Sequence, residues 1–374
     1  MEQKVALKDI AKLFLKLGVI GFGGPAAHIA MMQEEVVEKR KWLTEQHFLD
    51  LIGATNLIPG PNSTEMTMHI GHEKGGWKGL VVAGLCFILP AVFITGIFAY
   101  LYKQFGQLPE VQPFVYGIKP TIIAIILGAI FPLAKKSLKS TELLLLGILV
   151  LVCSLLGINE IYLMFGSGFF ALFLAYIRNK GQSSLNSFLP LTLLQITNTT
   201  LLSATNAKIF WIFLKIGAIL YGSGYVLFAF LDTELVATGL LTRQQLIDAI
   251  AVGQFTPGPV FSSVTFIGYQ INGLTGAIVS TIAIFLPSFL FVALLNPIVK
   301  KMRSSKLFSA FLDAVNVASV AIIVAVCFDM GKDTITDWRT ILIAVISIAI
   351  GYKKLNSAFV VLGGSLLGYL LTLV

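Results

Sequence analysis

Pro-Gly-Pro occurs twice in this chain, as Pro59-Gly60-Pro61 and Pro257-Gly258-Pro259, each time inside apolar sequence. Proline lacks a backbone N–H and clashes with the preceding turn, so the motif ends one helix and starts another. Within a bilayer, broken backbone is tolerated only where protein or a water-filled cavity surrounds it. Breaks at corresponding positions of two halves point to a transporter's binding site. The apolar setting is chain-wide. Apolar residues make up 56% and charged residues 12%, against about 25% charged in soluble domains. Several nearly uncharged runs approach the roughly 20 residues that span a bilayer. These features specify an all-α integral membrane protein. The net charge of +8 sits mostly in short loops. It reads as a topology signal and an attraction to anionic lipid, and not as a nucleic-acid surface. Cys86, Cys153 and Cys327 lie in apolar runs without metal-like spacing and read as buried thiols. Near the start, Glu2, Lys4, Lys8, Asp9 and Lys12 interrupt the apolar residues, so no removed signal peptide is expected.

The two motifs belong to a repeat. Phe14-Leu15-Lys16-Leu17-Gly18 matches Phe213-Leu214-Lys215-Ile216-Gly217. The glycine cluster from Gly21 to Pro25 matches Leu220 to Gly224, Leu43-Thr44 matches Leu241-Thr242, and Asp50 matches Asp248. Ile70-Gly71 matches Ile267-Gly268, and Leu89-Pro90 matches Leu286-Pro287. The expected organisation is a repeat over 1–180, a linker over 181–206 that is a candidate for one weak extra crossing, and a second repeat over 207–374. Each repeat reads as about six segments. In the first half these are 9–33 and 45–72, both interrupted, then 77–102, 113–134, 141–157 and 159–178; the second half follows suit. Thr44 and Thr242 read as helix N-caps, with Gln245 completing a capping box.

Loop charges suggest that the repeats are inverted. Lys135, Lys136 and Lys139 place the loop after the fourth segment in the cytoplasm, whereas the matching loop, with Asp329, Lys332, Asp333 and Asp337, has no such excess. The turn at Gly157 to Glu160 carries no Lys or Arg, whereas its counterpart carries Lys353 and Lys354. Lys300, Lys301, Arg303 and Lys306 mark another cytoplasmic loop in the second half.

A helix that starts after Pro-Gly-Pro directs unpaired N–H groups and its positive dipole end at the break. Asn62 and Ser63 follow the first break and Ser262 the second, so hydroxyls and amides together make an anion cradle. Asn56, Pro59, Gly60, Pro61, Gln254, Pro257, Gly258 and Pro259 complete that candidate site. The glycine clusters, with Gly23, Gly24, Gly222 and Ser223, either admit close ligand approach or pack helices. Lys16 and Lys215, one per repeat, either balance a divalent anion or belong to a basic interfacial stripe. Glu65, His69 and His72 share one helix face; proton coupling by Glu65 and His69 is weighed there against a metal site and a wet helix end. His28 either bonds substrate or packs. No nucleophile–base constellation stands out, and no cofactor is expected.

Phe22-Gly23-Gly24-Pro25-Ala26 with His28, Trp42-Leu43, and Asn56-Leu57-Ile58-Pro59-Gly60-Pro61-Asn62 resemble the chromate ion transporter family. The likeness covers nearly the whole chain, as the two-domain form. In the second half, Thr256-Pro257-Gly258-Pro259 is kept, but Tyr221-Gly222-Ser223-Gly224 replaces the first-half glycine motif. The resemblance implies a multi-pass inner-membrane carrier that exports chromate and so confers resistance. Sulfate, another tetrahedral dianion, is the competing solute. A membrane scaffold or a lipid-acting enzyme is the reading from another class. A homodimer is left open as an assembly.

Overall fold

A computed structural model describes residues 4–22, 24–106, 108–178, 204–221, 224–351 and 356–373. These form α1 (Leu7–Ile20), α2 (Gly24–Gln33) continuing as a π-turn over Glu34–Lys39, α3 (Glu45–Thr55), α4 (Asn62–Phe105), α5 (Gln112–Ser137), α6 (Thr141–Leu155) and α7 (Glu160–Arg178). The second half repeats the order. It comprises α8 (Ala204–Ile219), α9 (Val226–Leu231) with a π-turn over Asp232–Val236, α10 (Arg243–Phe255), a 3-10 turn over Val260–Ser262, α11 (Ser263–Ser304), α12 (Lys306–Thr334), α13 (Trp338–Gly351) and α14 (Ser357–Thr372). Most of the linker, with Lys353, Lys354, Gly23, Gly222 and Ser223, lies outside the described residues.

α4 has 44 residues. A straight helix of that length runs about 66 Å, roughly twice the hydrocarbon core of a bilayer. It does not run straight. Gly76 adopts φ 60° and ψ −150°, a conformation essentially confined to glycine, and the chain folds back on itself. Gly71 then lies so close to Gly79 and Ala83 that neither glycine has room for a Cβ. α11 repeats the device at Gly273, with the same φ and ψ. Its two arms are stitched by Ser280 Oγ donating to the Val264 carbonyl at 2.8 Å and by a Thr265–Thr281 hydroxyl pair at 2.7 Å.

α1 runs beside the second arm of α4, with Ile10 near Gly75 and Gly79 and Gly18 against the Phe87 carbonyl. Its 14 residues cover about 21 Å, so it ends near the middle of an arm roughly 43 Å long. The chain then reverses. Glu35 beyond α2 reaches back to Lys16, and Arg40 and Trp42 line a surface pocket with Val5 and Asp9 at the start of α1. α3 and the first arm of α4 make a second reversal, closed at its open end by His47 and Glu73. The sequence reading placed the breaks inside spanning segments, with one of them re-entrant if the linker does not cross. Here each broken segment is a hairpin with half-length limbs and its tip at the break.

Threonine caps start α3 and α10 as the sequence indicated. Thr44 accepts from the His47 amide, and Thr242 forms the reciprocal capping box with Gln245. Among the described residues, five helices are long and apolar enough to cross a membrane: 62–105, 112–137, 160–177, 260–294 and 307–334. α6, α13 and α14 are shorter apolar helices. Side chains such as Phe93, Phe131, Leu145, Tyr162 and Phe359 are exposed, as lipid-facing residues are. α5 and α12 lie antiparallel. Tyr116 near the start of α5 bonds Asp337 just past the end of α12, while Lys139 past the end of α5 pairs with Asp313 early in α12, at 2.6 Å. The first-half hairpins and the α4 arm that they flank share a core of their own, including Ile10, Phe14, Phe48, Met66, Ile70 and Phe87. A larger core, including Phe213, Phe228, Phe266 and Ile322, runs through the rest and takes in Ala54, Leu57, Ile58 and Met68 of the first-half hairpins.

Candidate functional site

The two Pro-Gly-Pro motifs meet the opposite repeat. Between two prolines, the glycine amide is the only backbone N–H that the motif possesses. In both cases it is spent across the repeats. Gly60 N–H donates to the Leu220 carbonyl just past α8 at 2.8 Å, and Gly258 N–H donates to the Gly21 carbonyl just past α1 at 2.7 Å. Gly60 sits at φ 135° and Gly258 at φ 87°, both in the left-handed half of the map that favours glycine. All four prolines and both glycines are buried.

Around this interlock the first-half polar groups are tied together. His28 is 1% exposed. Its Nε2 lies 2.8 Å from the Gly21 carbonyl, which can only accept, so Nε2 carries the proton. Nδ1 then accepts from the Ser63 hydroxyl at 3.2 Å. One carbonyl, Gly21, thereby serves both His28 of its own repeat and Gly258 of the other. Asn62 Nδ2 donates to Asn56 Oδ1 at 2.8 Å, strapping the two sides of Pro59-Gly60-Pro61. Gly24 has φ 80° and open space where a Cβ would lie. In the second half Ser262 is buried and accepts from Thr95 at 3.5 Å. Gln254 is buried, and Ser263 Oγ is buried without a partner among the described residues.

Glu65 belongs to the same cluster. It is fully buried, its Oε1 accepts from Ser288 of α11 at 3.2 Å, and its Oε2 finds no partner among the described residues. A Cβ on Gly60 would strike both Glu65 Oε1 and Ser288 Oγ. His69, one turn further on, is also fully buried, with both ring nitrogens unpartnered among the described residues. Lys16 and Lys215 stand apart from these buried groups. Lys16 is half-exposed and pairs with Glu35 at 2.8 Å; Lys215 pairs with Glu234 at 2.6 Å. Ser288, Thr95 and the Leu220 carbonyl were not expected from sequence, since nothing in the local pattern marks a partner on another helix. The glutamates left a signal, because each follows its lysine by 19 residues in both repeats.

Membrane-length helices, paired helix breaks and a buried polar cluster between the halves define a multi-pass membrane transporter. The chain belongs to the chromate transporter family, whose pattern matches residues 8–172 and 207–369; it is a transporter and not an enzyme. It is 32% identical over 370 residues to the chromate transport protein of Cupriavidus metallidurans, covering 97% of this chain and 92% of that protein. It is 31% identical over 356 residues to a probable chromate transport protein of Synechococcus elongatus, covering 93% and 90%. An uncharacterized transporter of Methanocaldococcus jannaschii is 28% identical over 381 residues, covering 97% and 94%. No solved structure matches the chain.

Proposed function

We propose that the protein exports chromate from the cytoplasm across the inner membrane, and so confers resistance, by alternating access around the interlocked breaks. The cross-repeat hydrogen bonds carry this reading. Each Pro-Gly-Pro is held by the other repeat's glycine break, so a movement of one half against the other reshapes both walls of the site. Relatives named as chromate transport proteins supply the solute class. The helix starts after Pro61 and Pro259 offer unpaired amides, joined by the side chains of Asn62, Ser63 and Ser262, which suits a tetrahedral dianion. Asn56, Gln254, His28 and the glycines at 23, 24 and 222, with Ser223, frame it. Lys16 and Lys215 balance the dianion's charge once Glu35 and Glu234 release them.

The repeats span 1–180 and 207–374, joined by the linker 181–206, and are inverted. The antiparallel α5 and α12, and the opposite loop charges at their ends, support inversion. Glu65 and His69 couple the cycle to protons, because an ionised carboxylate beside a bound dianion is costly and a protonated one is not. Sulfate is the second reading, since nothing in the cradle tells one tetrahedral dianion from another. A homodimer is compatible with this arrangement but not required by it. Flux of chromate and of sulfate into proteoliposomes of purified protein tests the assignment. Saturable chromate flux, competed weakly by sulfate, is expected; sulfate flux without chromate flux would transfer the assignment to sulfate.

A further inference from the structure

The first arm of α4 carries ionisable side chains from the central break to one end of the molecule. Glu65 and His69 are fully buried and hold three polar atoms between them that find no partner among the described residues. His72 lies one turn beyond His69, edge-on to Trp77 at 6.1 Å. Glu73 follows, with both carboxylate oxygens 2.7 Å from His47 Nε2 on α3. Positions 65, 69 and 72 share one helix face. From Glu65 to Glu73 the helix rises about 12 Å, close to half of a hydrocarbon core of about 30 Å. The second repeat matches none of this. In the register of Ile70 and Ile267, Glu65 corresponds to Ser262, His69 to Phe266, His72 to Tyr269 and Glu73 to Gln270; His47 corresponds to Gln245. Two arms of the same shape therefore differ in one property: only one is lined with groups that bind and release protons.

We propose that Glu65, His69, His72 and the Glu73–His47 pair form a one-sided proton path between the central site and the face at which the first-half hairpins open, which is the cytoplasmic face by the loop charges. This deepens the proton-coupled reading above and rests on it. An imidazole accepts a proton on one ring nitrogen and gives one up from the other. Glu65 thus exchanges its proton with His69, His69 with His72, and His72 with the Glu73–His47 pair, where it passes to water. No other bond changes. Other ionisable groups on elements packed against α4 are Asp9 on α1, His28 on α2, Glu45 and Asp50 on α3, Arg243 and Asp248 on α10 and Tyr269 on α11, with Tyr221 beyond α8 and Lys74 next to Glu73. His28 is committed to Gly21 and Ser63, and the α1 lysines are exposed. The path makes Glu65 follow the pH of one face alone.

The second repeat names the substitutions that such an arm accepts: His69→Phe, His72→Tyr and Glu73→Gln. Full-length protein is reconstituted with a pH dye inside the vesicles, chromate is added, and chromate-linked proton movement is followed with the pH of each face set separately. Chromate affinity is measured on the same preparations by intrinsic fluorescence. His69→Phe and His72→Tyr are expected to slow proton movement at least tenfold while chromate Kd stays within about threefold. In the parent, pH at the hairpin face alone is expected to set the rate of proton exchange before chromate is added. Parental proton rates in both variants, or equal sensitivity to both faces, would overturn the path while leaving chromate transport standing. Parent protein that neither binds nor moves chromate would instead remove the transport reading. If His69→Phe does not fold, His72→Tyr on the more exposed stretch carries the same comparison.

Discussion

Replacing single glycines at the breaks by alanine separates backbone strain from crowding of the site. Gly24 has φ 80° with open space around a Cβ, so Gly24→Ala carries only the left-handed backbone cost of about 1–2 kcal/mol. Gly258 has φ 87°, and its Cβ would meet the Ala91 methyl at 2.9 Å. Overpacking of that kind adds about 1–3 kcal/mol. Gly60 has φ 135°, a region that costs a side chain about 1–3 kcal/mol. Its Cβ would also push apart Glu65 and Ser288, whose lost hydrogen bond adds about 1–3 kcal/mol in a buried setting. The expected order of damage is Gly24→Ala, then Gly258→Ala, then Gly60→Ala, with the last near 3–5 kcal/mol. Thermal unfolding of purified protein in one detergent reads the order, at roughly 2 °C per kcal/mol. Chromate flux should fall in the same order and vanish first in Gly60→Ala. Equal melting and equal flux for Gly60→Ala and Gly24→Ala would refute the placement of Glu65 and Ser288 against the break.

Two further outcomes are expected. In a background without Cys86, Cys153 and Cys327, Thr336→Cys should react with an impermeant thiol reagent added outside, and Leu138→Cys at the matching loop should not; labelling of both would end the inverted arrangement. Glu35 is held below the usual carboxylate value of 4.5 by its hydrogen bond from Lys16, which outweighs the opposing effect of burial, with Lys39 adding a smaller lowering. A lowered carboxylate stabilises the fold above its unfolded value and loses that effect as pH falls through the folded one. The melting temperature of Glu35→Gln should therefore lie below the parent's above about pH 4.5 and converge on it in more acid buffer. The gap should be small because Lys16 is half-exposed, and a gap that persists at low pH would contradict the pairing.

The breaks and the duplication were legible because proline in an apolar run has few explanations and a repeated order of motifs has fewer. The caps at Thr44 and Thr242 were legible because capping is a local exchange of hydrogen bonds. The reversals at Gly76 and Gly273 were legible as the boundary between segments 45–72 and 77–102 and its counterpart in the second half, but the tight turn at a single glycine was not, since a glycine in a membrane helix reads equally well as a packing contact. Each turn rests on φ 60° and ψ −150°, far from helical values, which the local sequence does not mark. Ser288 donates to Glu65 across 223 residues, and Leu220 accepts from Gly60 on the opposite repeat. Such partners follow from how the halves dock, which no local pattern encodes. The Lys16–Glu35 and Lys215–Glu234 pairs lie between these extremes. The lysines stood out as charges in apolar helices, and their glutamates would have stood out had the acidic residues been aligned across the repeats too.

Chromate binding and flux with Pro59→Ala and Pro61→Ala combined bear most directly on a site built at the helix breaks. Both prolines are buried at the interlock, and alanine restores a backbone N–H at each position, allowing a more continuous helix through the break. The variant is purified from membranes, its folding is checked by monodispersity and melting, and it is compared with the parent in proteoliposomes at one ionic strength. Folded protein with chromate flux near background is expected. A folded variant that binds and moves chromate like the parent would contradict a site at the breaks.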